Sequence, residues 1–528
     1  QLSPAARGVL DLAAVVGRAF TFGVLAAASD LGEEALVAAL DECWRRRLIR
    51  EQGADAYDFS HDKLREAAYA GLSQTRRRWL HGRVAGALAQ IHTADLEQVA
   101  GVIAGHWEAA GKPALAIAAY ERAAAHARGI YAHDEARAAL MRAIGLLAAL
   151  PADAPQSELT VRLHEALGDL DELLAQHGAA REAYTVAQSA APEPDRITQA
   201  RLYRKIGKTL ENECADYERV AAQYAAAEAL LGAPEETGEA AWWEEWCQVQ
   251  IEHLILLYWW NRPADMARQI ERVQPLIEQH GTPHQRAALY SNMSRQQSRS
   301  GRFAPSDAAV ASARAALAAL AALPPAASPE ARAPYQFGLG FYLLWHGDHV
   351  EAEDNLQGAL TLAEQIGDIT LQVRCLTYLA AVRRRQGRDA EVEAYAARGL
   401  AVAEAAGMLE YLGACRGNLA WLAWRRGDPA QAEQLGQAAL DAWQQYARPY
   451  PFRWHALWPL IGVSLAQDRL ADAIAHARSL LNPAQQALPP DIEAPLVAAV
   501  AAWAAGQIEA ADDLLRQALD LTVQMNFS

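Results

Sequence analysis

Few groupings in this sequence have the residue types and spacing for covalent chemistry. Ser60-His61-Asp62-Lys63 contains the three residue types of a hydrolase triad and an S-x-x-K spacing, but adjacent residues cannot align as nucleophile, base and orienting acid. Gly207-Lys208-Thr209 ends like a phosphate-binding loop, yet Leu202 stands where the first glycine is required, and the string lies inside a helical pattern. A phosphate cradle needs a strand, a glycine turn and a helix. His280/His284 and His346/His349 flank Gly and Pro turns without cysteine neighbours, so no zinc site is expected. Neither HExxH nor GxSxG occurs. The expectation is a non-enzymatic chain.

The elements that hold the side chains are announced by a recurring phrase. It begins at Asn261, Gly301, Gly347, Gly387, Gly427, Gln467 and Gly506, at spacings of 40, 46, 40, 40, 40 and 39 residues. The longer interval carries the insertion Pro324-Pro325-Ala326-Ala327-Ser328-Pro329. Fixed-period self-similarity of this length is the mark of a solenoid, whose repeats bury a core by stacking. Function then shifts from a catalytic pocket to an extended inner surface.

Composition agrees with that reading. The 528 residues are 52% hydrophobic and 21% charged, with alanine abundant and strand formers sparse beyond residue 60. No run of about 18 uncharged apolar residues appears, and the start does not resemble a signal peptide, so a cytoplasmic, membrane-free chain is expected. Cys43, Cys214, Cys247, Cys375 and Cys415 form no CxxC and read as reduced, buried thiols. The first residue is Gln1 and the last lies within one turn of a helical pattern, so a piece of a longer protein is expected. Before residue 93 fall 12 of the 48 basic and 11 of the 64 acidic residues, leaving that segment at +1 and the remainder at −17. An acidic solenoid is poorly suited to nucleic acid.

Counting from the recurring glycine, small residues fall five and twelve positions later and a larger one often at nine. Gly347 with Ala352, Leu356 and Ala359, Gly506 with Ala511, Leu515 and Ala518, and Gly178 with Ala183, Ala187 and Ala190 are examples. This resembles the tetratricopeptide repeat in a long-helix form. The resemblance implies an all-α, right-handed superhelix of about ten helix pairs over residues 93–528, with two consecutive second-helix patterns in 113–150. It also implies that first helices line a concave face. The family's inner positions fall on Lys205, Asn212, Tyr258, Trp259, Asn292, Arg295, Arg299, Phe341, Trp345, Arg374, Arg384, Arg385, Asn418, Trp421, Trp424, Arg425 and Trp458. Arginine forks and aromatic planes on one wall suit an anionic or planar ligand. The plainer alternative is that the tryptophans fill gaps between repeats and the arginines pair with Glu or Asp. Trp242-Trp243-Glu244-Glu245-Trp246, with Tyr258-Trp259-Trp260, is the densest aromatic region; core packing is its plainer account and a partner surface the alternative.

Residues 1–92 read differently. Ser3-Pro4 starts a helix ending near Gly17, a second covers Phe22–Ala28, and a third runs from Gly32 to Arg47. Leu48–Glu51 and Tyr57–Ser60 form a hairpin around Gly53, and helices follow from Lys63 and Arg76. This order is that of a small winged-helix domain. Tyr57-Asp58-Phe59-Ser60-His61-Asp62-Lys63, followed by Arg78-Trp79-Leu80-His81, resembles the winged helix of STAND proteins, signal-transduction ATPases with numerous domains. The resemblance implies that His61 contacts an ADP phosphate and that Asp62 caps the next helix. The nucleotide-binding module is not within these residues, so ATP or ADP with magnesium belongs to a longer parent. A structural hydrogen bond at the hairpin–helix junction is the alternative role for His61.

The leading expectation is therefore the sensor region of a STAND regulator, receiving an inducer (a small molecule or a protein) on its repeats and relaying to an upstream nucleotide-binding module. A scaffold that grips a partner protein or peptide is the alternative. DNA reading by helix 33–47 is disfavoured, because Glu33, Glu34, Asp41 and Glu42 precede its arginines.

Overall fold

The computed structural model describes residues 2–53, 55–151, 155–213, 216–234, 238–322, 329–445 and 450–525. Among them are 26 α-helices, two short 3-10 turns and one three-stranded sheet. The chain packs as two compact units, Gln1–Pro234 and Glu235–Ser528.

The first unit opens with helix Pro4–Val16, whose N-cap Ser3 hydroxyl accepts a hydrogen bond from the Ala6 N–H at 3.2 Å. Helices Phe22–Ala28 and Glu33–Arg45 follow, and the expected hairpin forms from β2 (Ile49–Glu51) and β3 (Ala56–Phe59). The sheet holds a further strand, β1 (Ala19–Thr21), in the antiparallel order β1-β3-β2. Arg50 grips Asp58 with both prongs of its guanidinium, at 2.6 and 2.9 Å, across paired positions of β2 and β3. Helices Asp62–Ala70 and Gln74–Ile91 complete this segment. A single hydrophobic core runs from Ala6 through Leu80 and Val84 into Ile103, Tyr120, Leu140, Leu170 and Ala183.

Beyond residue 92 the helices come in packed pairs. Three lie in the first unit (Leu96–Ala109 with Pro113–Gly129, Gln156–Leu173 with His177–Ala190, Arg196–Asn212 with Tyr217–Leu231), with helix His133–Gly145 standing between the first and second. Seven more fill the second unit, from Ala240–Trp259 with Pro263–His280 to Pro490–Ala504 with Ile508–Gln524. Most pairs turn on two or three residues, which forces the partners antiparallel.

The recurring phrase is that turn. Gly387, Gly427 and Gly506 have φ of 69°, 75° and 75°, the left-handed conformation that closes a helix C-terminus. Asn261 and Asp468 take it at 59° and 55°. The phase assigned to Gly178 needs correction. Ala175 is the left-handed residue, at φ 57°, and counting from it brings Ala180, Tyr184 and Ala187 to the packed positions, all nearly inaccessible. The pattern holds after Gly347 and Gly506, where Ala352, Leu356 and Ala359 are fully buried, as are Ala511, Leu515 and Ala518, whereas at Gly301 the left-handed residues are Arg302 and Phe303, at φ 49° and 61°. The insertion at 324–329 lies outside the described residues apart from Pro329.

The second unit closes on itself. Gln486 Nε2 donates to the Phe303 carbonyl at 2.8 Å, and the Ala487 N–H to the Arg302 carbonyl at 2.8 Å. The same segment holds residues 450–454: Gln485 Nε2 donates to the Tyr450 carbonyl at 3.0 Å, the Gln486 N–H to the Pro451 carbonyl at 2.9 Å, and Trp454 Nε1 to Gln486 Oε1 at 2.9 Å. Residues 485–487 thus clasp the turn of the second pair to the connector that precedes the sixth.

Candidate functional site

Four successive first helices of the second unit converge on a cleft of about 250 Å³. Helix Ala240–Trp259 brings Tyr258 and Trp259, and helix Pro283–Ser300 brings Arg295 and Arg299 one turn apart. Helix Pro329–His346 contributes Phe337 and Phe341, again at i and i+4, with Tyr342; helix Ile369–Arg385 contributes Arg374 and Tyr378. Glu410 and Tyr411, at the start of helix Leu409–Arg425, and the connector residues Tyr450 and Phe452 close the far side.

The walls are aromatic. Phe341 meets Tyr378 edge-on at 4.9 Å and Phe452 at 5.8 Å, and Trp345, just outside the cleft, stacks on Phe452 at 5.3 Å. Such ring pairs fix orientation as well as burying area. The Arg374 guanidinium lies 4.2 Å over Phe337, and Arg299 lies 5.1 Å from the centroid of Tyr258 and 5.3 Å from that of Phe303. Polar contacts of these arginines are to neutral oxygens: Arg295 donates to Asn292 Oδ1 at 3.3 Å and Arg299 to Asn261 Oδ1 at 3.0 Å. The Nε of Arg374 is buried without a hydrogen-bond partner. Burial pushes the phenol pKa values of Tyr342, Tyr378, Tyr411 and Tyr450 upward, so these hydroxyls stay protonated and able to donate.

Asn418 and Trp421 belong to a different, closed cluster. Arg384 is 1% exposed, stacked 4.8 Å over Trp421 and 5.0 Å over Trp454, with Nη1 3.4 Å from both Asn418 Oδ1 and the His455 carbonyl. His455 Nδ1 also lies 3.1 Å from Asn418 Oδ1. Burial, reinforced by neighbouring Arg385 and Arg425, drives the Arg384 pKa far down, and burial alone lowers Arg385 to about 10. Trp458 is wholly inside the core, and the Trp424 ring presses on Gly462, where a Cβ would sit 2.6 Å from it. Both tryptophans fill gaps between helices.

Lys205 and Asn212, in the first unit, are held by carboxylates. Lys205 Nζ lies 2.7 Å from Glu165 and 2.6 Å from Asp169, and Asn212 donates to Glu172 at 2.5 Å. His61 is exposed and its ring makes no hydrogen bond within the described residues. It is the N-cap residue of helix Asp62–Ala70 but supplies no side-chain cap. The expectation that Asp62 caps this helix is corrected: Asp62 is the first helical residue and its carboxylate pairs with Arg18 at 3.2 Å.

Gly207-Lys208-Thr209 lies within helix Arg196–Asn212, with Gly207 against the Tyr224 ring, so no phosphate cradle forms there. Among the described residues no group of three or more His, Cys, Asp or Glu could hold a metal ion, and no helix is long and apolar enough to cross a membrane. His280 stacks on Trp243 at 3.7 Å, and Trp243 and Trp246 are buried in the core, whereas Trp242, Tyr258 and Trp260 are half-buried and Trp259 is exposed. Cys43, Cys247, Cys375 and Cys415 are buried and unpaired; Cys214 lies outside the described residues.

The inner-position rule found six lining residues (Tyr258, Trp259, Arg295, Arg299, Phe341, Arg374) and missed Phe337, Tyr342 and Tyr378 on the same helices and Tyr411 on the next first helix. Those aromatic residues at helical spacing were the available signal. Tyr450 and Phe452 lie in a connector with no counterpart in the repeat, so no phase could point to them.

No family model matches the sequence, and no curated protein matches it. Among solved structures, the chain is similar to a signal transduction ATPase with numerous domains carrying a tetratricopeptide-repeat sensor, from Pyrococcus horikoshii, at 13% identity and a TM-score of 0.43, over 97% of this chain. The chain spans 66% of that protein's length. It is also similar to a Rap protein complexed with competence and sporulation factor (13% identity, TM-score 0.41, 78% of this chain and 98% of the other). The apo form of RapI gives 12% identity and a TM-score of 0.41, over 63% and 98%.

Proposed function

We propose that this chain is the non-catalytic sensor region of a STAND-type regulator, whose second unit receives an inducer in the cleft between Arg295, Arg299 and Arg374. The observation that carries the reading is the cleft itself. It combines aromatic walls, three guanidiniums, two of them bonded to neutral oxygens and the third with its Nε unpartnered, and tyrosine hydroxyls able to donate. Residues 2–91, with their helices and three-stranded sheet, are read as the winged helix that relays to a nucleotide-binding module of the parent. His61, exposed and without a hydrogen bond of its own, is available there to a nucleotide phosphate held by that module, where ATP or ADP with magnesium would bind. An inducer switches such a protein only by binding its active state several kcal/mol more tightly than its resting state.

Calorimetry and thermal-shift measurements on the chain, against metabolite and candidate-protein panels, test the receptor role. The expected result is a stoichiometric ligand that loses affinity on Phe341→Ala. A folded sample that binds a partner protein with Phe341→Ala unaffected would support the scaffold alternative instead.

A further inference from the structure

Granted the receptor role of the cleft, we infer that its ligand is a small planar acid, an aromatic or conjugated ring bearing a carboxylate or phosphate. The first argument is charge. Three arginines and one carboxylate, Glu410, line the cleft, a local excess of two positive charges in a chain of net −16. Several other arginines of this unit are matched to carboxylates on the neighbouring pair, as Arg426 is to Glu393 at 2.7 Å and Arg469 to Glu433 at 2.6 Å, and Arg384 is closed off between tryptophans. Arg295, Arg299 and Arg374 have no carboxylate within 4.0 Å among the described residues. Guanidiniums drawn from water in this way favour an anion that can take both prongs.

Shape gives the second argument. Arg374 lies over the Phe337 ring at 4.2 Å and Arg299 beside Tyr258 at 5.1 Å, with Phe341 lining the same cleft, so the cations sit among aromatic rings and suit a planar group that bears an acid. The third is size. A cleft of about 250 Å³ lies below the range of roughly 300–1,000 Å³ typical of drug-sized ligands, which favours a small ligand over a dinucleotide or an oligosaccharide. An extended peptide is disfavoured because Tyr450 and Phe452 close the far side and residues 485–487 hold them there.

The test uses the whole chain with matched probes: 4-hydroxybenzoate and indole-3-acetate against their amides, phenyl phosphate and AMP against phenol and adenosine. Calorimetry and quenching of tryptophan emission report binding. At least one acid should bind ten-fold or more tightly than its neutral match, weaken as salt is raised, and lose ten-fold or more on Arg374→Gln or Arg295→Gln. Arg314→Gln, on an arginine paired with Glu351, should leave binding unchanged. The carboxylate and phosphate arms distinguish the two acid types. Neutral probes that bind as tightly as their acids, or arginine variants that bind as well as the parent, overturn the inference. If acids fail while a neutral compound binds and Phe341→Ala abolishes it, the receptor role stands and the acid class falls. If no compound or protein binds at all, both fall.

Discussion

His81 and His106 face each other through their Nδ1 atoms at 2.8 Å, joining the helix that ends the N-terminal segment to the first helix of the repeats. Tyr69 Oη meets the other nitrogen of His81 at 2.9 Å, and Arg77 lies close enough to oppose a charge on that ring. Burial lowers both imidazoles, His106 to about 4, with His81 a further cause of the latter.

A pH dependence follows with a definite sign. The unfolded His106 takes up a proton near 6.5 and the folded one only near 4, so between these values the unfolded chain binds more protons and stability falls as pH falls. The loss from His106 approaches about 3 kcal/mol at the bottom of that window. Urea unfolding at pH 7.5, 6 and 5, compared with His106→Gln, measures it. A native chain no less stable at pH 5 than at 7.5, relative to the variant, rules the account out.

The turn conformation predicts opposite effects at two positions. Gly427 has φ 75° with nothing near its would-be Cβ, so Gly427→Ala feels only the backbone and should cost about 1 kcal/mol. Ala175 holds φ 57°, so Ala175→Gly should stabilise by roughly 0.5–1 kcal/mol, less the entropy glycine adds to the unfolded chain. Chemical unfolding of the two variants settles the pair; effects of the same sign would contradict the assignment.

Arg384 makes a third case. Its stacking on two tryptophans returns about 1–2 kcal/mol per contact at most. Removing its charge from water costs several kcal/mol, and Asn418 and a carbonyl at 3.4 Å offset little of that. Arg384→Met is expected to raise stability by about 1 kcal/mol. A fall of more than about 2 kcal/mol would mean that the guanidinium is compensated after all.

Glu410 is the one carboxylate in the cleft lining, and its carbonyl, not its carboxylate, accepts the Trp443 indole N–H at 2.9 Å. Glu410→Gln should therefore leave the fold intact and tighten acid binding several-fold, roughly tenfold at most for removing one like charge from the cleft. Calorimetry at two salt concentrations reads the effect. Weaker acid binding in the variant would show that Glu410 positions the ligand.

Much of this architecture is legible in the residues. The forty-residue phrase locates the left-handed turn, and helix Phe22–Ala28 runs where its flanking residues place it. The phase fails at Gly178 because glycine is only a proxy for the backbone conformation, and Ala175 adopts that conformation without announcing it. Strand Ala19–Thr21 is too short to show alternation. Arg374 and Arg384 look equivalent in the repeat, both inner arginines of one helix. What separates them is Trp454, seventy residues on, which caps one and leaves the other facing the cleft. The contact of Ala487 to the Arg302 carbonyl carries no residue signature, since any backbone N–H can make it, and that of the Gln486 side chain to the Phe303 carbonyl needs only an amide, with nothing in the sequence to name its distant acceptor.

That last contact changes what kind of polymer the second unit is. An open solenoid is a stack of coins: one can be added or removed, and stability grows term by term with neighbours. Here the seam between residues 302–303 and 486–487 spans more than 180 positions, so the stack is a hoop of fixed circumference. Inserting or deleting one forty-residue module between them would spring the seam open rather than lengthen the molecule. The stretch between the two ends of the seam is accordingly bound to melt together, and to fold at the pace of its most distant contact rather than its nearest ones.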